Sequence, residues 1–224
     1  MKNILSYDSK FMRTLEHVAD TMLLNLMFLV FCIPVVTIGA AWCGLFSGCR
    51  ALSEETTPFR CFVKGFVSSL KRATLAWLIL LPVLAVLAYT CMMVWLFMQQ
   101  EFSMALFTFI IAVIALLAAL GVTTMVFLFY SRFECTLGQL LKNGLLMHLS
   151  CMIRSTLMGV GCWFPVIAFF VLPYRFGQLM PVWLLIYFGV AGNLSVWLMK
   201  RPFDRLVQRE EGGTEPETQE ETTN

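Results

Sequence analysis

Long apolar runs separated by short polar segments fill this chain, and the first of those runs is broken in its middle. Leu15, Val18, Met22, Leu26 and Leu29 recur at three- and four-residue steps, which predicts a helix over 15–33. Pro34 then removes a backbone donor and clashes with the preceding turn. Thr37, followed by Ile38 and Gly39, is placed to cap a new helix over 40–53. At membrane depth such a break is tolerated only where protein or water satisfies its backbone groups. It is therefore either an architectural turn or part of a site.

The next run starts differently. Glu54-Glu55-Thr56-Thr57-Pro58 stops the second helix, and Pro58 suits the first position of a third over 58–99. Its opening is amphipathic, with Phe59, Phe62, Val63, Phe66 and Leu70 on one face and Arg60, Lys64, Lys71 and Arg72 around it. Such a helix is expected to lie in the headgroup boundary and feed into a span from Thr74 to Met98. Gln99-Gln100-Glu101 makes a turn before a helix over 103–131, where Ala112, Ala115 and Ala119 form a small-residue stripe. A second amphipathic helix, 136–150, presents Leu137, Leu140, Leu141, Leu145 and Leu149, and helices over 153–173 and 179–200 follow, joined by a loop with Arg175. Trp163, Trp183 and Trp197 are expected towards span ends, where aromatic belts form. Phe62-Val63-Lys64 and Leu140-Leu141-Lys142 occupy similar places in the two amphipathic segments, which hints at two copies of an interfacial helix followed by a pair of spans, although common amphipathic patterning explains it equally.

The expected fold is all-α: a polytopic helical membrane protein with a broken N-terminal hairpin, four full transmembrane helices and two interfacial amphipathic helices. Residues 1–208 form one integral membrane domain, and 209–224 an acidic disordered tail. Composition agrees. Hydrophobic residues make up 59% of the chain and charged residues 13%, against about 45–50% apolar in ordinary globular domains. The runs are too long and continuous for a β-barrel.

Charge orients the model. The net charge of +2 conceals a tail from Arg209 to Asn224 with one Arg and six Glu, so the remainder carries +7. Lys and Arg number three in 1–20, five in 43–73, none in 99–102, three in 131–154, one in 174–178 and four in 200–209. The depleted loops read as external and the others as cytoplasmic. A single first crossing would put the basic N-terminus outside. A hairpin turning at Pro34–Gly39 avoids this, with arms of about 13–17 residues, roughly 20–25 Å and a little short of a full crossing. Both termini are then cytoplasmic. Acidic Asp8, Glu16 and Asp20 spoil a signal-peptide n-region, and Phe46-Ser47-Gly48-Cys49 is a poor lipoprotein box, so a retained anchor is expected.

Candidate chemistry is sparse. The eight cysteines lack CxxC spacing and read as small buried hydrophobes. His17 and His148 are far apart and read as packing or interfacial residues, so no metal or cofactor is expected. Neither a phosphate-cradling glycine loop, an HExxH pattern nor a nucleophile–base pair is evident, so no catalytic residue is assigned. No basic run interleaved with aromatics points to nucleic acid. The central parts of the four full spans hold no Asp, Glu, Lys or Arg, which argues against an ion-coupled carrier. The candidate motif is Asn25, Pro34, Thr37, Gly39, Gly44 and Gly48: a polar group able to bond across helices, the break, and a small-x-x-x-small pair. Asn193 is a further polar group with membrane access.

Asn25-Leu26 through Ile33-Pro34-Val35-Val36-Thr37-Ile38-Gly39 resembles the signature of the YesL family of bacterial membrane proteins, domain of unknown function 624. Phe62-Val63-Lys64-Gly65-Phe66 leading to Ala73-Thr74-Leu75-Ala76-Trp77 is similar to its second block. Arg132-Phe133-Glu134 with Leu140-Leu141-Lys142-Asn143-Gly144-Leu145-Leu146 is similar to its third. The chain departs from the pattern at Ile33, where Leu is usual, and at Ala40, where Pro is frequent. The resemblance implies a bacterial cytoplasmic membrane protein encoded near ABC-type carbohydrate importers, whose subunits would be its partners beside the lipid bilayer. It carries over no catalytic residue. The expected role is a non-catalytic accessory or regulatory component of carbohydrate uptake; the alternative is a small permease, alone or as an oligomer, with the break as its gate.

Overall fold

A computed structural model describes residues 10–97, 102–133, 135–171 and 186–204. The turn at Gln99–Glu101, the loop with Arg175, Pro181 and Trp183, the start of the last span and the acidic tail lie outside the described residues.

The described elements are helical: α1 (Lys10–Cys32), a 3-10 turn (Val35–Thr37), α2 (Ile38–Ser53), α3 (Pro58–Phe97), α4 (Phe102–Tyr130), α5 (Leu137–Ser150) and α6 (Met152–Val171). A further helical stretch, α7, covers residues 186–204. This is an all-α, polytopic membrane architecture. Residues 12–32, 35–53, 58–97 and 106–130 are each long and apolar enough to span, and α5 with α6 forms a fifth candidate bent by 111°.

α2 is the axis of the molecule. From Gly39 to Cys49 every residue is buried, and its neighbours come from all directions. A helix apolar on all sides belongs either inside a protein or in lipid, and α2 takes the first place. On one side Leu24 of α1 approaches Gly48, while Phe28 stacks 4.8 Å from Trp42. The register falls on one helix as it rises on the other, so α1 and α2 form an antiparallel hairpin turning at Pro34. One arm is longer than expected: α1 has 23 residues, about 35 Å at 1.5 Å per residue and enough to cross, whereas the 16 residues of α2 fall within the expected length.

α3 is the most extensive neighbour of α2, and part of the face expected in the headgroup boundary packs against that helix. The amphipathic stretch and the span are one 40-residue helix. Phe62, Phe66, Ser69, Ala73, Ala76 and Trp77 are buried, at a spacing that forms one stripe against α2, while Phe59 and Leu70 of the predicted apolar face stay exposed. The glycines of α2 decide this, because they let large α3 side chains lie against the helix backbone. Beyond Trp77 no residue of α3 is buried, and Leu78, Val83, Val86 and Tyr89 are exposed. That half, about 30 Å long, matches a hydrocarbon core.

α4 packs against α3, α2, α5 and α6. The close approach to α6 occurs at Gly121 and Gly159 rather than along the alanine stripe, since a Cβ on Gly159 would lie 2.6 Å from the Gly121 nitrogen. α5 runs back along α4, Gly144 against Val126 and His148 against Gly121. Its Leu140 is fully buried, so this helix too is a packed element, although Leu145 and Leu149 stay exposed. Trp163 is corrected as well: it stacks on Trp77 at 5.6 Å inside the bundle, whereas Trp197 is 72% exposed.

Both ends of the described chain lie at one end of the bundle. Arg13, Glu16, His17 and Asp20 share a cleft with Leu52, Glu55 and Thr56. Arg50 donates to the Ser131 carbonyl, and Arg132 pairs with Asp204 at 3.0 Å.

Candidate functional site

The break is held by hydrogen bonds that the chain itself supplies. Pro34 is extended (φ −76°, ψ 113°), followed by the single 3-10 turn. Thr37 stands at the N-cap position of α2 without a side-chain capping bond. Its hydroxyl instead donates backwards, 2.8 Å to Phe31 O and 2.9 Å to Pro34 O, covering carbonyls that the end of α1 leaves open. The Trp77 indole N–H donates to Val35 O at 2.9 Å, so α3 clamps the turn from the side. The apolar tip, Ile33, Val35 and Val36, is exposed.

Gly39 lies outside the break. α2 begins at Ile38 rather than Ala40, so Gly39 is helical, and its role is contact. A Cβ there would lie 2.7 Å from Ala73 O, 2.8 Å from Trp77 Cβ and 3.0 Å from Phe127 Cε1. Gly44 faces Phe62 and Phe66, and Gly48 faces Leu24 and Phe62. The α3 side has its own close contact, Gly65 against Ser47.

Asn25 is fully buried on α1, and its Oδ1 accepts from the Gly189 N–H at 3.0 Å. Nearby, Asn193 donates to Thr21 Oγ1 at 3.3 Å, and Thr21 donates to His17 O. Gly189 and Gly192 allow α7 this close, against Thr21 on α1 and Cys49 on α2. The six candidate residues thus fall on three contacts: the turn (Pro34, Thr37), α2 with α1 and α3 (Gly39, Gly44, Gly48), and α1 with α7 (Asn25).

One constellation absent from the sequence reading is present in space. His148 Nδ1 lies 2.6 Å from Ser155 Oγ, both residues are buried, and Ser155 also reaches Gly121 O at 3.3 Å. This is the spacing of a nucleophile and base. It ties α5, α6 and α4 together at the 111° bend. The two residues are seven positions apart, and without the bend nothing signals their meeting. Among the cysteines, Cys43, Cys49 and Cys162 are buried and the other five partly so. Cys43 and Cys49 donate weakly to Phe127 O and Gly189 O. Among the described residues no group of His, Cys, Asp or Glu could hold a metal ion.

A last feature lies at the charged end of α3. Val67, Ser68, Leu70, Lys71, Arg72 and Tyr130 line a cleft of about 390 Å³. Arg72 Nη1 donates to Cys135 O at 3.1 Å, and Arg72 and Tyr130 face the same cleft. Burial pushes the Cys135 thiol above its usual range, and Arg72 opposes the shift.

Residues 21–91 match the model of a family described as protein of unknown function, DUF624. This segment is similar to a DUF624 domain. It contains Asn25, the break, all of α2 and α3 as far as Cys91, which is the hairpin with its covering helix. Two of the three blocks that resemble the YesL family lie within it, and the third, beginning at Arg132, lies beyond the matched residues. No curated protein and no solved structure matches the chain.

Proposed function

We propose that this protein is a non-catalytic accessory or regulatory component of a carbohydrate importer in the bacterial cytoplasmic membrane, with both termini cytoplasmic. The observation that carries the reading is the filled interior around α2. A permease gated at the break would need room there for a solute, but Gly39, Gly44 and Gly48 lie in direct contact with α1, α3 and Phe127 of α4. The turn's carbonyls are bonded by Thr37 and Trp77. The outer face of α1, with Leu23, Leu26, Val30 and Ile33 exposed, offers an apolar surface to another membrane protein or to lipid. The link to sugar import rests on the family resemblance, and cytoplasmic termini rest on the loop charges together with the clustering of both chain ends. The His148–Ser155 pair is sealed within the bundle, which favours a latch over a hydrolase.

Affinity purification of the full chain from native membranes in a mild detergent tests the proposal. Stoichiometric recovery of an ABC-type importer subunit supports it. Sugar uptake by the purified protein alone in liposomes overturns it in favour of a permease.

A further inference from the structure

The cleft at the charged end of α3 belongs to none of the roles above, and its chemistry is specific. Five of its six lining residues come from fewer than two turns of α3, and Tyr130 closes it from the end of α4. Lys71 and Arg72 bring two cations, and among the described residues no carboxylate lines the cleft. Arg72 is held in place by Cys135 O, which leaves further guanidinium N–H groups free of that contact. Neither Lys71 nor Arg72 makes an ion pair among the described residues. A positioned guanidinium beside a mobile ammonium is a phosphate-binding arrangement.

The surroundings identify what carries the phosphate. Lys71, Leu75, Leu78 and Val86 follow one another on a single helical face, and all four are exposed. The cleft therefore stands where charged surface gives way to the bare apolar half of α3. A soluble phosphate has no use for such a track, whereas an acyl chain needs one. Basic pockets between transmembrane helices at this depth suit anionic headgroups. We propose that this cleft is a binding site for the phosphate headgroup of an anionic phospholipid, with Lys71 and Arg72 on the phosphate and the acyl chain along Leu75, Leu78 and Val86.

The site depends on the membrane reading but not on the carbohydrate proposal, so either can fail alone. The test uses the full chain in detergent, titrated with dioleoyl phosphatidylglycerol or dioleoyl phosphatidylcholine and read by native mass spectrometry. Wild type is expected to retain phosphatidylglycerol preferentially. Lys71→Gln, a change at an exposed side chain, should weaken that binding about fivefold, the equivalent of about 1 kcal/mol per basic residue near an anionic surface, and leave phosphatidylcholine unchanged. Arg60→Gln removes the same charge from the same helix outside the cleft and should change it less than twofold. Arg72→Gln should weaken it at least as much as Lys71→Gln, with a melting curve to check folding. Equal phosphatidylglycerol binding by wild type and Lys71→Gln overturns the proposal. An equal loss in Arg60→Gln overturns it too, because the attraction would then be diffuse. Inorganic phosphate binding that saturates without lipid and displaces phosphatidylglycerol assigns the cleft to a soluble phosphate, against the lipid.

Discussion

Replacing Gly39 by alanine sets two opposed effects against each other at one position. Alanine is the better helix former, by about 1 kcal/mol in a helix interior. The new methyl group would meet Ala73 O at 2.7 Å and Trp77 Cβ at 2.8 Å. The first is backbone and the second is fixed to it, so neither can swing aside, and α2 and α3 must separate by several tenths of an ångström. Overpacking of this kind costs about 1–3 kcal/mol, and rigid neighbours put it at the upper end. The net expectation is a loss of about 2 kcal/mol, or roughly 4–8 °C in melting temperature for a chain of this size. Gly138→Ala and Gly161→Ala are the matched controls, since nothing lies within 4 Å of a Cβ at either helical position. They should be neutral or slightly stabilising. Thermal unfolding of the three variants in one detergent, followed by intrinsic tryptophan fluorescence, reads the difference. A Gly39→Ala protein as stable as its controls would refute the claim that close backbone approach of α2 and α3 holds the hairpin in place.

Asn25→Leu removes the acceptor for the buried Gly189 N–H and should cost about 1–3 kcal/mol, seen as a lower melting temperature and faster proteolysis near α7. Ser155→Ala leaves His148 Nδ1 without its 2.6 Å partner and should cost a similar amount, while His148→Leu in that background should cost little more. Strictly additive losses would show that the two side chains do not act as a pair. For topology, single cysteines at positions 5 and 215 in a cysteine-depleted background should resist an impermeant maleimide in intact cells, and one at position 100 should react. Labelling at position 5 would show that the first helix crosses without returning.

The helical membrane class was legible in the sequence because burial in lipid is a property of each segment by itself. A run of about 20 apolar residues must satisfy its own backbone, whatever its neighbours do. The same local logic placed the turn at Pro34, where the ring removes a donor, and ended α2 before Pro58. Partners could not be read this way. The apolar face of residues 58–73 has the pattern of an interfacial helix, and only the glycines of α2, brought alongside, turn part of that face inward. Gly39 reads in sequence as part of a break, yet its lack of a Cβ matters for Ala73 and Trp77, more than thirty positions away. His148 and Ser155 meet because the chain bends by 111° between them. Lys71 and Arg72 read as the charged side of an amphipathic helix until Tyr130, at the end of α4, and Cys135, just beyond it, arrive beside them. Segment composition dictated which stretches must be helical and avoid water; packing between distant segments decided which side of each helix faces another helix and which faces the bilayer. That choice depends on close contacts no single stretch contains.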